Sequence, residues 1–196
     1  MAEFLHIVST ACGIVALAEI GDKTQLLAVM LAARYRRALP VALGILLATL
    51  ANHALAAWAG AALAGWLDGP WFRAAVAIGF LGMAGWILVP DTLDDGLPAI
   101  AGGAGLGPLL TTSLAFFVVE IGDKTQVATV ALGARFDDVL AVTLGTTAGM
   151  MLANVPAVVL GEKVLRLVPL ARVRAGAALL FAGLGLAMLW RLWAAA

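Results

Sequence analysis

Apolar residues fill this chain in six long runs, divided by short polar punctuation. The runs lie near Phe4–Ala33, Ala38–Leu67, Trp71–Val89, Gly107–Ala134, Val139–Leu160 and Leu170–Trp193. A helix needs about 20 mostly apolar residues to cross the hydrocarbon core of a bilayer, so each run is predicted to be one membrane-spanning α-helix. The expected fold class is an all-α integral membrane protein with six transmembrane helices. The first run continues through Glu19 with no basic leader and no cleavage signal, so it reads as a retained helix rather than a signal peptide.

Polar residues break into two of these runs in the same way. The stretch EIGDKTQ occupies Glu19–Gln25 and returns, letter for letter, at Glu120–Gln126, 101 positions later. The same offset places Arg34 on Arg135, Gly44 on Gly145, Gly60 on Gly161, Arg73 on Arg174, Phe80 on Phe181 and Gly82 on Gly183. The chain is therefore a duplicated half. Each half holds three predicted spans, and an odd number sends the second copy into the membrane from the opposite side. The expected architecture is two inverted three-helix repeats, residues 1–90 and 107–196, joined by a linker over 91–106. Inverted repeats of this kind are a common plan of secondary transporters, with the binding site near the midplane where the halves meet.

Composition strengthens the membrane assignment: 63% of the residues are hydrophobic and 12% charged, and the mean hydropathy is +1.04. Almost nothing remains for a soluble domain, so any activity resides in or at the bilayer. A net charge of zero gives no sign of nucleic-acid binding, and the lone Cys12 cannot form an internal disulfide. The positive residues orient the spans. One face collects Arg34, Arg36, Arg37, Lys163, Arg166, Arg172 and Arg174, the other only Arg73, Arg135 and Arg191. The richer face is expected in the cytoplasm, with both termini outside and the linker cytoplasmic despite its acidic Asp91, Asp94 and Asp95.

Within a continuous α-helix, residues three apart share a face. Glu19, Asp22 and Gln25 are thus predicted to form a polar stripe near the middle of the first span, and Glu120, Asp123 and Gln126 another in the fourth. An ionised side chain at a helix centre costs about 2.5 to 3.5 kcal/mol on insertion scales, so the six ionisable groups of the two motifs imply about 15 kcal/mol that partners must offset. Pairing within the motif is one answer, since Glu19 with Lys23 and Glu120 with Lys124 stand four apart in the favourable order; it leaves Asp22 and Asp123 over. A bound cation is the other. Four carboxylates, the Gln25 and Gln126 carbonyls and the Thr24 and Thr125 hydroxyls make an oxygen-rich set suited to a hard divalent ion such as Mn²⁺, Ca²⁺ or Mg²⁺. Gly21 and Gly122 allow either a close backbone approach, an opening of the helix that lends a carbonyl, or simply tight helix packing. Carboxylates kept from water take up protons readily, so protons and the ion compete for the same oxygens, which is a physical basis for antiport. Lys23 and Lys124 can serve either as mobile counter-charges for the emptied site or simply as anchors of the helices, the first role being favoured.

Two copies of Glu-x-Gly-Asp-Lys/Arg-Thr/Ser, one per half of a six-span chain, resemble the Gdt-type family of cation/proton antiporters. That family includes Golgi manganese and calcium transporters of eukaryotes and manganese exporters of bacteria. The resemblance extends over essentially the whole chain. It implies that Glu19, Asp22, Glu120 and Asp123 bind the transported cation, and that Mn²⁺ or Ca²⁺ moves against protons. The short linker and the lack of a long N-terminal extension are similar to the bacterial exporters, which implies Mn²⁺ efflux across a bacterial inner membrane, with Ca²⁺/proton exchange as the alternative. The implied partners are divalent cations, protons and the lipid bilayer; a homo-oligomer is compatible with the sequence, and no cofactor is expected.

The second span of each half adds Thr49, Asn52 and His53, and Thr146, Thr147 and Asn154. His53 falls on Asn154 at the repeat offset, and Asn52 falls on Ala153. Imidazole suits Mn²⁺ better than Ca²⁺ and can relay protons, but a membrane histidine also serves as a helix-to-helix hydrogen-bonding group. Met30, Met150 and Met151 read as packing, Pro156 as a local kink, and the six tryptophans as interfacial anchors near span ends. Gly102–Gly107 fits neither the dinucleotide fingerprint nor the P-loop. Three rival readings stand beside the antiporter: an exporter of a small amine-bearing solute, which would want an aromatic pocket where only Phe116, Phe117 and Phe136 are near the motifs; a channel without proton coupling; and a metal-dependent membrane hydrolase, for which neither a nucleophile motif nor an HExxH pair is present.

Overall fold

The computed structural model describes residues 1–67, 69–90, 106–161 and 169–194. The described residues form eight helices: α1 (Ala2–Glu19), α2 (Lys23–Tyr35), α3 (Ala38–Trp66), α4 (Pro70–Trp86), α5 (Pro108–Glu120), α6 (Lys124–Phe136), α7 (Val139–Leu160) and α8 (Leu170–Ala194). Four of them, α1, α3, α7 and α8, are long and apolar enough to cross a membrane, and α5 is a shorter apolar helix. The 17 residues of α4 extend about 26 Å, slightly less than a hydrocarbon core of about 30 Å. Residues 91–105 of the linker, with Lys163 and Arg166, lie outside the described residues.

The first and fourth apolar runs are not continuous helices, and the polar stripes expected along them do not form. Each run is broken inside its motif. Ile20 and Ile121 turn to extended backbone, and Gly21 (φ +81°) and Gly122 (φ +78°) take the left-handed conformation that only glycine adopts at no steric cost. Asp22 and Asp123 follow as extended N-caps of α2 and α6. Sequence and backbone agree locally, because a glycine past a helix end and an Asp at the next helix start are the standard stop and start signals. The two breaks match in detail: the amides of Asp22 and Asp123 donate to the Glu19 and Glu120 carbonyls at 3.0 and 3.1 Å. The half-helices also end alike, on Arg36 and Asp137, 101 positions apart and both at φ 52°.

The two halves pack by exchange. The long helix α3 of the first half lies against α5 and α6 of the second, while α7 of the second lies against α1 and α2 of the first. Glycines permit the closest approaches. A Cβ on Gly44 would stand 2.7 Å from the Leu109 carbonyl of α5, and one on its repeat counterpart Gly145 would stand 2.6 Å from the Val8 carbonyl of α1. Helices α4 and α8 pair with each other outside this inner set, with Phe80 and Phe181, also repeat counterparts, at a centroid distance of 6.2 Å. Two apolar clusters result. One joins α1, α4, α6 and α8 around Ile14, Phe80, Leu132 and Phe181; the other joins α2, α3 and α5 around Leu27, Ile45 and Phe116.

Polarity runs from inside to outside in the reverse of a soluble protein. Glu19, Asn52, His53, Glu120 and Asn154 are buried, whereas Leu55, Trp58, Leu152, Val159 and Leu179 are each more than half exposed. That surface needs lipid around it. The buried polar groups gather where the two breaks come together.

Candidate cation site

Each broken turn is closed by its own glutamine. The Gly21 amide donates to Gln25 Oε1 at 2.8 Å, and the Gly122 amide donates to Gln126 Oε1 at 2.6 Å. Those two carbonyl oxygens, expected as ion ligands, thus hold the turns together in this structure. Gln25 uses its amide to reach the other half, donating to the Ala153 carbonyl on α7 at 2.8 Å. The Asp22 carboxylate accepts from the Lys23 amide at 2.6 Å.

The two glutamates end α1 and α5 and point into the interior. Thr24 donates to Glu19 Oε1, and Thr125 donates to Glu120 Oε2 at 3.2 Å. The second contact of each glutamate comes from the opposite half. Asn154 on α7 donates to Glu19 Oε1 at 3.2 Å, and His53 on α3 stands with Nε2 3.8 Å from Glu120 Oε2. Asn154 and His53 are repeat counterparts, so the exchange of α3 and α7 delivers one polar side chain to each carboxylate. Neither carboxylate is saturated: Glu19 Oε2 and Glu120 Oε1 are buried without a hydrogen-bond partner among the described residues, as are both His53 ring nitrogens and Asn154 Oδ1.

The lysines break the repeat. Lys23 Nζ reaches across to Asp123 Oδ1 at 2.8 Å, while Lys124 Nζ donates to the Val89 carbonyl just beyond α4 at 2.9 Å. The alternative of pairing within each motif, Glu19 with Lys23 and Glu120 with Lys124, is not among these contacts. The physical reason is the helix break, which removes the four-residue spacing on one continuous face that such pairs require. A narrow crevice of about 10 Å³, with Gly21, Asp22, Val89, Lys124 and Arg174 on its walls, opens beside the first turn.

Further polar groups are buried on the inner helices α3 and α7. Asn52 donates to the Phe117 carbonyl of α5 at 3.0 Å, a structural bond between halves. Among the described residues, Thr49 and Thr147 are buried with unpartnered hydroxyls, and so is Thr143, which had no place among the candidate residues. Its signal was available, because Thr143, Thr146, Thr147, Met150 and Asn154 recur at helical spacing on one face of α7. Met150 also has a role beyond packing, since Asn154 Nδ2 donates to its sulfur at 3.0 Å and to its carbonyl at 3.1 Å. As the side chains stand, no three His, Cys, Asp or Glu groups among the described residues are close enough to hold a metal ion together.

Residues 7–95 and 108–196 each match one family, described as divalent cation/proton antiporter GDT1. The chain belongs to this family. Each match takes in one copy of the EIGDKTQ turn and the helices around it. A Vibrio cholerae serotype O1 protein named "Putative manganese exporter" is 51% identical over 174 residues, which cover 88% of this chain and 85% of that protein. No solved structure gives a significant match. Membership in the GDT1 family makes the chain a membrane-embedded cation transporter, in agreement with its apolar, outward-facing helices.

Proposed function

We propose that the chain exports Mn²⁺ from a bacterial cytoplasm in exchange for protons, and that the two broken turns share one ion. It is read as a transporter and not an enzyme. In this reading the six spans form two inverted three-helix repeats, residues 1–90 and 107–196, joined by a cytoplasmic linker, with both termini outside. Discontinuous helices meeting at the interface of two repeats are the usual setting of an ion site in secondary transporters.

The observation that carries the proposal is the pair of buried glutamates. Each is held by its motif threonine and faced by a polar residue of the other half, and each keeps one oxygen unpartnered. A buried polar atom left unpaired costs about 1 to 3 kcal/mol, more when charged; a cation or a proton removes that cost. Glu19, Glu120 and Asp123 would supply carboxylate oxygens, with Asp22, Asn154 Oδ1 and His53 beside them. Imidazole and carboxylate together favour Mn²⁺ over Ca²⁺, and the name of the Vibrio relative points the same way.

Exchange follows from competition. With the ion absent, Lys23 neutralises Asp123, and protons neutralise the glutamates. An arriving Mn²⁺ displaces both, because the pocket cannot hold lysine, protons and a divalent charge at once. On release to the far side, protons return to the glutamates and Lys23 to Asp123. The test is Mn²⁺ flux in proteoliposomes with and without an imposed pH gradient. Glu19→Gln and Glu120→Gln are each expected to abolish the gradient-driven flux; native flux indifferent to the gradient would support a channel instead.

A further inference from the structure

The two helices that cross between the halves, α3 and α7, differ in one stretch. On α7, Thr143, Thr147, Met150 and Asn154 follow one another at helical spacing and so share a face. From the first residue, Val139, to Asn154, which donates to Glu19, the helix rises about 22 Å. The repeat counterparts on α3 are Ala42, Leu46, Thr49 and His53. The face that leads from Glu19 to the start of α7 therefore carries hydroxyls where the matching face of α3 is apolar. The residues just before the two helices differ as well, Asp137 and Asp138 before α7 but Arg36 and Arg37 before α3.

Those two hydroxyls do not behave like the others in this molecule. A threonine inside a helix commonly donates to the carbonyl one turn back. Thr146 does so to Val142 at 2.8 Å, Thr112 to Pro108 at 2.6 Å and Thr129 to Thr125 at 2.7 Å. Thr143 and Thr147 are each only 5% exposed, and their hydroxyls have no hydrogen-bond partner among the described residues. Packing alone would be served by valine, which has the same shape and no polar atom to satisfy. A hydroxyl donates and accepts at once, which suits it to hold water molecules in file.

We propose that the Thr143 and Thr147 face of α7 lines a narrow water passage between Glu19 and the face of the protein where α7 begins. Ala42 and Leu46 offer water no partner, so the passage has no equivalent along α3. Arg135 and Arg34 end the preceding helices in the same way, and the two mouths differ in the pair that follows. Asp137 and Asp138 draw cations, hydronium included, where Arg36 and Arg37 repel them. Asp138 has a structural task too, since its carboxylate accepts from the Ala141 amide at 2.9 Å. The use of the passage rests on the exchange proposed above: in that orientation α7 begins outside, and incoming protons reach Glu19 by this route. A proton passes along hydrogen-bonded water, one O–H bond forming as the next breaks, with no other reactant.

Two measurements test it. In a Cys12→Ala background, Thr147→Cys and Leu46→Cys place a thiol at equal depth, about 12 Å from the start of α7 or α3. A thiol reacts as the thiolate, which forms where water reaches it, so aminoethyl methanethiosulfonate should modify Thr147→Cys in micelles about tenfold faster than Leu46→Cys. Equal rates would overturn the passage. In proteoliposomes, Thr147→Val keeps the shape and loses the hydroxyl; it should slow gradient-driven Mn²⁺ flux by about fivefold, the effect of one lost hydrogen bond, with equilibrium Mn²⁺ binding unchanged. Thr147→Ser should stay within about twofold of the native chain, as should Thr146→Val, whose hydroxyl is committed to its own helix. The reverse ranking, with Thr147→Val active and Thr147→Ser impaired, would assign Thr147 to packing and overturn the proposal, as would loss of Mn²⁺ binding in Thr147→Val. Native flux indifferent to the pH gradient, with Thr147→Cys still the faster thiol, would sink the proton exchange and uphold the water passage, so the two readings fail separately.

Discussion

The two EIGDKTQ turns have one sequence and one backbone but different partners. Gly21 and Gly122 share a left-handed φ, and Gln25 and Gln126 close their turns in the same way. Yet Lys23 crosses to Asp123 while Lys124 binds a backbone carbonyl, and Glu19 faces an asparagine where Glu120 faces a histidine. Seven residues are enough to set the local backbone; the charge pairing is decided by what the rest of the fold brings alongside. The difference teaches that a duplicated site need not be used symmetrically. In the proposed exchange the first turn lends the counter-charge and the second receives it.

Substitutions at matched positions would sharpen or break this comparison. The largest difference in stability is expected at the glycines. Forcing a side chain into the left-handed region costs about 1 to 2 kcal/mol, and that cost applies to Gly21→Ala and Gly122→Ala alike. At Gly21 the added Cβ would also stand 2.7 Å from a Leu170 methyl, whereas at Gly122 it meets nothing within 4 Å. Gly21→Ala should therefore destabilise by about 2 to 3 kcal/mol and Gly122→Ala by about 1 to 2, read from Tm in micelles. Equal losses would remove the Leu170 contact from the account.

A smaller contrast is expected at the lysines. Lys23→Met leaves Asp123 buried without its counter-charge, and the loss should be about 1 to 3 kcal/mol, below the range for a fully buried pair because the Lys23 side chain is 28% exposed. Added Mn²⁺ should restore most of the lost Tm. Lys124→Met gives up the bond to the Val89 carbonyl, about 1 to 2 kcal/mol, and Mn²⁺ should restore less of its Tm than of Lys23→Met. Equal rescue of both variants by Mn²⁺ would show the two turns to be equivalent.

The mildest change is expected from His53→Asn, which gives Glu120 the neighbour that Glu19 already has. Polar contacts between membrane helices contribute about 0.6 kcal/mol, so Mn²⁺ flux should fall by about threefold. Complete loss would make His53 an obligatory ligand or proton carrier.

The sequence made the duplication, the apolar runs and the paired acidic motifs visible, because each is a pattern along the chain. The helix breaks were within reach. Gly21 and Gly122 each stand before an Asp that can cap a new helix, but a periodic reading of Glu19, Asp22 and Gln25 assumes a continuous helix and so conceals the stop. What no local pattern holds is the exchange between halves. Asn154 reaches Glu19 across 135 positions, and Lys23 reaches Asp123 only because two turns from opposite halves meet.

The central claim is that both turns build one site. Equilibrium Mn²⁺ binding to the purified chain, counted per molecule for the native protein, Glu19→Gln and Glu120→Gln, tests it most directly. The account predicts a single bound ion in the native chain and none in either variant. Two ions in the native chain, with each variant losing only one, would mean two separate sites and would contradict it.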